Sequence, residues 1–287
     1  MGIDLVVWAG PVYKAQVPGA TVPGAQEKFW GCRGDKTATY PHCPTLADSW
    51  LDAEGRRLPQ MLAKLGLNEA DVDNLYYGAF SAGGSVIKRL LRHSADRQKV
   101  RAVMLSDATY SGGTAAHPNP IEGFTSYALD ALNGDKLLVA TASASPNYNH
   151  GSAAQVLAAT RKQIEQRSGQ SFQQGGALPL PTQPDVLYTL GPAPNVIFAD
   201  YGMQGGGHAY HPKLAPSLWQ NILQPWLSSG GGTTGGGGPG PGPKPTEPPG
   251  RPLGSAGLVN ALLSFTLGTA TGWAAVQLLE AGVRRMG

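Results

Sequence analysis

The chain has 287 residues, enough for one sizeable core and an appendage. Apolar residues make up 41% and charged residues only 14%, which excludes a coiled coil or a long disordered chain for its bulk. The net charge is +3 and no Lys/Arg cluster reaches the density of a phosphate-binding patch, which argues against nucleic acid as a partner.

The opening MGIDLVVWAG has neither the basic flank nor the long apolar run of a signal peptide, and it reads directly as a strand over residues 4–9. Residues 11–45 are irregular and rich in Gly and Pro. They hold both cysteines, Cys32 and Cys43, eleven positions apart. The pair either closes a small disulfide loop in an oxidising compartment or stays as two thiols. Cys/His ligands at zinc-finger spacing are absent, and the sequence implies no metal and no cofactor.

Beyond this segment short apolar runs alternate with helical patterns. A helix is expected over 46–65, a strand over 74–80 and a helix over 83–91. A strand over 102–106 is followed by an irregular segment, 109–128. Then come a strand over 136–141, a helix over 152–167 that closes at Ser168 and Gly169, a strand over 195–199 and a last helix over 214–227. The strands are rich in Val, Leu, Ile, Tyr and Phe with no polar face, the pattern of a parallel sheet buried on both sides. The expectation is an α/β domain with a mainly parallel sheet of five or six strands and helices on both faces.

The composition changes abruptly at Ser228. Residues 228–254 contain 11 Gly and 7 Pro in 27 positions, the make-up of a tether: floppy at the glycine-rich front, stiffer at the proline-rich back. Residues 255–287 form a third part, read as a separate hydrophobic helix. No charge occurs from Pro252 to Leu279, a run that reaches across a hydrocarbon layer of roughly 30 Å as a helix. Trp273 suits an interface, and Arg284 and Arg285 flank the end. Asn260, Ser264, Thr266, Thr269, Thr271 and Gln277 leave the run only moderately apolar, so a helix docked in a protein assembly such as a virion fits the same letters. Gly268 and Gly272 form a G-x-x-x-G pair that would let two copies associate. The expected location is a membrane or a particle.

One local pattern carries chemistry. Asn74-Leu-Tyr-Tyr-Gly-Ala-Phe-Ser81-Ala-Gly-Gly-Ser runs an apolar strand into a serine bracketed by tiny residues, with a helix immediately after. The sharp bend that thrusts such a serine out of the sheet needs small residues two before and two after it. Here these are Ala79 and Gly83, with Ala79 standing where glycine is usual. The stretch resembles the nucleophile elbow of the α/β-hydrolase family, where esterases often carry such a Ser-Ala-Gly-Gly run, and the domain is small for that family, without leading antiparallel strands, as in its compact cutinase-like members. By strand order the resemblance spans residues 4–227.

That resemblance implies a serine hydrolase and an order of nucleophile, acid and histidine. His208 follows the last predicted strand in the loop Gly205-Gly-Gly-His208-Ala-Tyr-His211, with His211 as the fallback base. The stretch after strand 136–141 (ASASPNYNHG) contains no carboxylate, so the acid is sought one strand earlier, at Asp107, with Asp200 as its rival. The oxyanion donors implied are the backbone N–H of Ala82 and one from the loop after the first strand, Gly10 or Val12, because Pro11 has no N–H. The substrate implied is a small-molecule or lipid carboxylic ester, though amides and thioesters use the same groups. The missing carboxylate and Ala79 also fit a different class, a catalytically idle hydrolase-like module serving as a structural or adhesion subunit of an envelope or virion.

Overall fold

The structure is a computed structural model. It describes residues 2–10, 22–31, 55–109, 121–145, 152–191 and 194–231. The chain divides into two units, Met1–Gly235 and Gly236–Gly287, and all the described residues belong to the first. The predicted tail helix, most of the tether, Val12, Cys32 and Cys43 lie outside the described residues.

The architecture is α/β, built on one mixed eight-stranded sheet with helices against it. In chain order the strands are β1 (Ile3–Gly10), β2 (Gln26–Gly31), β3 (Val72–Phe80), β4 (Val100–Ser106), β5 (Leu137–Ala142), β6 (Gln173–Gln174), β7 (Val186–Leu190) and β8 (Val196–Asp200). The helices are α1 (Leu58–Lys64), α2 (Gly84–Leu90), α3 (Ser94–Lys99), α4 (Glu122–Ala131), α5 (Ala153–Ser168), α6 (His211–Leu218) and α7 (Gln224–Ser228). The strands lie in the order β2-β1-β3-β4-β5-β8-β7-β6. The first six of these are parallel, while β7 runs antiparallel to β8 and β6 to β7.

The period-two alternation of strand side chains divides the core into two layers. Leu5, Val7, Leu75, Tyr77, Val103, Leu105, Leu138 and Ala140 face one layer, which α1, α2, α4 and α5 close with Met61, Ile87, Phe124 and Leu157. Val6, Trp8, Tyr76, Met104, Val139 and Ile197 face the other, closed by Leu214, Leu218, Trp219 and Leu223. There the Trp8 and Trp219 rings meet with centroids 4.3 Å apart. Both faces are thus covered, as parallel strands without a polar face require.

All five predicted strands are present, as β1, β3, β4, β5 and β8. The sheet is wider than the five or six strands expected. β2 falls inside a stretch read as irregular, α4 begins inside another and runs three residues past its end, and β6 and β7 are an antiparallel extension. The predicted helix at 46–65 is helical only over Leu58–Lys64 among its described residues. The last predicted helix breaks into α6, a π turn over Trp219–Leu223 and α7, with Pro216 inside α6 removing one backbone donor.

Two helix ends show how side chains settle the local boundaries. Ser152 and Gln155 make a reciprocal capping box on α5, whose far end closes on Gly169 at φ 71°. α1 has no capping side chain of its own. The fully buried Asp96 of α3 caps it instead, accepting from the backbone N–H of Arg57 and Leu58 while Arg56 pairs with its other oxygen at 2.9 Å. Among the described residues no helix is long and apolar enough to cross a membrane.

Candidate active site

β3 is buried along its last six residues and ends at Phe80. The chain then tightens into a single 3-10 turn, Ser81–Gly83, before α2 begins at Gly84. Ser81 sits at φ 52°, in the left-handed region that costs a residue with a Cβ roughly 1–3 kcal/mol. The bend survives because its neighbours have no bulk. A Cβ on Gly83 would lie 2.3 Å from the Ala9 carbonyl oxygen, and one on Gly84 only 1.7 Å from that of Ala108. The buried Tyr77 hydroxyl donates to the Gly83 carbonyl at 3.1 Å and ties the turn to the strand beneath it.

Asp107 repeats this arrangement on the next strand. It is the first residue after β4, it is fully buried, and its φ is 46°. Ser81 and Asp107 are the two non-glycine residues with positive φ among those described. The Asp107 carboxylate is densely bonded. Oδ1 accepts from the Ser143 N–H at 2.7 Å, and Oδ2 accepts from the Ser143 hydroxyl at 2.8 Å. Oδ2 also lies 2.5 Å from Nδ1 of His208. Burial pushes this carboxyl up, but the hydrogen bond from His208, the nearby His211 imidazole and the hydrogen bonds from Ser143 together more than offset it, and the group titrates below its ordinary range.

His208 arrives on a loop over Gln204–Tyr210 that follows β8. Gly205, Gly206 and Gly207 hold φ of 60°, 93° and 65°, which few L side chains would adopt in succession. The imidazole lies on the Phe80 ring, stacked at a centroid distance of 4.7 Å and an angle of 21°. Phe80 immediately precedes Ser81, so the stack brings His208 beside the Ser81 turn. Nδ1 is directed at Asp107, and Nε2 is the second nitrogen of the ring. The side chain is 37% exposed, so the imidazole is partly open to solvent.

The other predicted residues fall as follows. His211, the fallback base, is fully buried at the start of α6, with Nδ1 2.7 Å from the Thr141 hydroxyl and its ring edge-on to Tyr201. Burial pushes this imidazole down to about 4. Asp200, the rival acid, ends β8 and accepts from the Gly202 N–H. Ala82 follows Ser81 in the 3-10 turn. β1 runs alongside that turn as far as Gly10, and Val12 lies outside the described residues.

The hydroxyls after β5 also belong to this site, although the sequence reading assigns them no place in it. Thr141, Ser143 and Ser145 stand at every second position, as side chains sharing one face of an extended chain do. Thr141 meets His211, Ser143 meets Asp107, and Ser145 accepts from the His208 N–H at 3.0 Å. The alternation was the signal available.

Among the described residues no group of three or more His, Cys, Asp or Glu is placed to hold a metal ion. Compared with family models, with curated proteins and with solved structures, the chain matches none of them.

Proposed function

We propose that the domain is a serine hydrolase of the α/β-hydrolase type that cleaves carboxylic esters, with Ser81 as nucleophile, His208 as base and Asp107 as the acid. The observation that carries this reading is the contact of His208 Nδ1 with a buried Asp107 carboxylate while the same imidazole stacks on the residue next to a strained serine. The strand order supports it as well. The three residues lie past the C-terminal ends of parallel strands in one sheet, the edge where such sheets carry their working groups. The carboxylate that is missing after β5 is supplied from β4, and Ser143 of the β5 end binds it.

In this mechanism Ser81 Oγ attacks the ester carbonyl carbon as its proton passes to His208 Nε2. The C=O π electrons move to oxygen, and the N–H of Ala82 stabilises the resulting oxyanion. Collapse expels the alkoxide, which takes the proton from His208. Water then repeats the sequence on the acyl-enzyme and releases the carboxylic acid. Asp107 stays ionised, holds the Nδ1–H tautomer and stabilises the imidazolium. The uncharged run from Pro252 to Leu279 supports a second part of the reading, that the tail tethers the domain to a membrane or particle.

A fluorophosphonate probe tests the assignment on the full chain. Wild type labels at Ser81, and Ser81→Ala does not. Folded wild-type protein that resists the probe would overturn it.

A further inference from the structure

The segment after β5 contains no carboxylate, yet its hydroxyls touch the partners of the proposed triad. Ser143 binds both oxygens of Asp107, one through its N–H and one through its hydroxyl. The Ser143 hydroxyl in turn accepts from the Ser145 N–H at 3.3 Å. The Ser145 hydroxyl accepts from the backbone N–H of His208 at 3.0 Å and lies 3.8 Å from the sulfur of Met203, the residue before that loop. A continuous bridge therefore runs from the acid to the backbone of the base, separate from the direct Asp107–His208 contact. Gly207 is shaped around it, because a Cβ there would fall 2.1 Å from Ser145 Oγ.

The bridge is anchored on both sides. The Ser143 carbonyl accepts from the Ala154 N–H in the first turn of α5, and Ala144 N–H donates to the Gly202 carbonyl. Ser143 is fully buried, so its hydroxyl has no water to bond instead. The loop that bears His208 has three successive glycines with positive φ and little stiffness of its own. Something outside it must fix where His208 stands.

We propose that Ser143 and Ser145 are positioning residues of the hydrolase: Ser143 sets the orientation and charge of Asp107, and Ser145 pins the glycine loop so that His208 stays over the nucleophile turn. The inference rests on the serine-hydrolase reading. Neither serine touches substrate, and each acts through the residue it holds.

The test uses the full chain and a soluble chromogenic ester, with fluorophosphonate labelling measured alongside. Ser143→Ala removes one donor to a carboxylate. The carboxylate then protonates more easily and pairs more strongly with the imidazolium, and both changes move the acid limb of the pH–rate profile up, by about half to one pH unit. kcat falls about ten-fold with KM nearly unchanged. Ser145→Ala lowers kcat by a similar factor without moving the acid limb, because it loosens the loop and leaves the carboxylate bonded. Ser145→Thr keeps the hydroxyl and restores the rate. Thermal unfolding of each variant is followed so that a loss of fold is recognised, and Ser145→Thr keeps the question answerable if Ser143→Ala fails to fold. Wild-type protein that neither labels nor turns over ester sinks the serine-hydrolase reading itself. Wild type that labels, with folded Ser143→Ala and Ser145→Ala of unchanged kcat and pH profile, sinks the positioning role alone.

Discussion

Ser81 and Asp107 stand at one level of the sheet. Phe80 pairs with Ser106 across β3 and β4, so each is the first residue beyond its strand, and both have left-handed backbones, at φ 52° and 46°. Strain of this kind persists only where the surrounding packing over-determines it. At Ser81 the packing comes from Ala9 and Tyr77 around Gly83, and from Ala108 against Gly84.

The first prediction follows from that strain. Ser81→Gly removes the Cβ that makes φ 52° costly, so the variant gains stability, about 1 kcal/mol after glycine's greater unfolded-state entropy is subtracted. For a domain of this size that is a rise of about 2–4 °C in Tm, alongside loss of ester hydrolysis and of probe labelling. A lower Tm with activity lost would show that the turn is not strained at this residue.

In the proposed hydrolase the charge of Asp107 bears on both activity and stability. Its folded carboxyl titrates below the unfolded value of 3.8, so the stability it contributes is complete above that value and is lost as pH falls through the lower folded one. Asp107→Asn removes this dependence, so as pH falls below about 4 the variant's unfolding free energy declines less steeply than wild type's. Its kcat at neutral pH falls by about three to four orders of magnitude, since the amide does not stabilise an imidazolium. Urea titrations at several pH values check the first outcome and ester turnover the second. Parallel stability curves would mean that the carboxylate bonds are absent in solution.

The buried second histidine gives a separate acid window. His211 titrates at about 4 when folded against 6.5 when unfolded, because burial disfavours the cation. The unfolded chain therefore takes up the proton first, and stability drains away as pH falls from about 6.5 towards 4, by up to about 3 kcal/mol. Nε2 of His211 has no hydrogen-bond partner among the described residues, and Nδ1 has only Thr141, whose hydroxyl also reaches the Leu105 carbonyl. His211→Phe keeps an aromatic ring against Tyr201 and drops the titration. Its Tm should stay level across that window while wild type's falls, with ester hydrolysis at neutral pH retained. A variant that tracks wild type would place the acid sensitivity elsewhere.

What could be read from the letters follows the physics of burial. The central residues of β1, β3, β4, β5 and β8 are covered on both faces, so the middle of each strand is an apolar run that needs no partner to be recognised. β2 reads QEKFWG and pairs only with β1 at the sheet edge, where charged residues are tolerated. β7 is half-buried and β6 has two exposed residues, and the antiparallel extension exists only through its pairing with β8. α4 was hidden behind the Gly- and Pro-containing stretch before it, although Phe124, Tyr127, Ala128 and Ala131 keep helical spacing. At the site, Ser81 was visible from the small residues its bend requires, and Asp107 from its place at a strand end. Ser143 and Ser145 were not, because a serine's bonding partner is set by where another loop returns, here from more than sixty residues downstream for Ser145 and His208.

The last prediction concerns the packing that keeps Ser81 and Asp107 together. Gly84 opens α2, and a methyl group on it would lie 1.7 Å from the carbonyl oxygen of Ala108, the residue after Asp107. The obstacle is backbone, so no side-chain rotation relieves it. Gly84→Ala must push α2 away from the end of β4, at a cost of about 2–3 kcal/mol or more. The displaced Ala108 pulls on Asp107, and through it on the hydrogen bond to His208 Nδ1. The expected result is a lower urea midpoint together with a fall in kcat larger than any change in KM. A stability loss without a catalytic one would show that Asp107 is held by Ser143 and His208 strongly enough to ignore the shift of its own backbone. An unchanged midpoint would show that α2 does not approach β4 this closely.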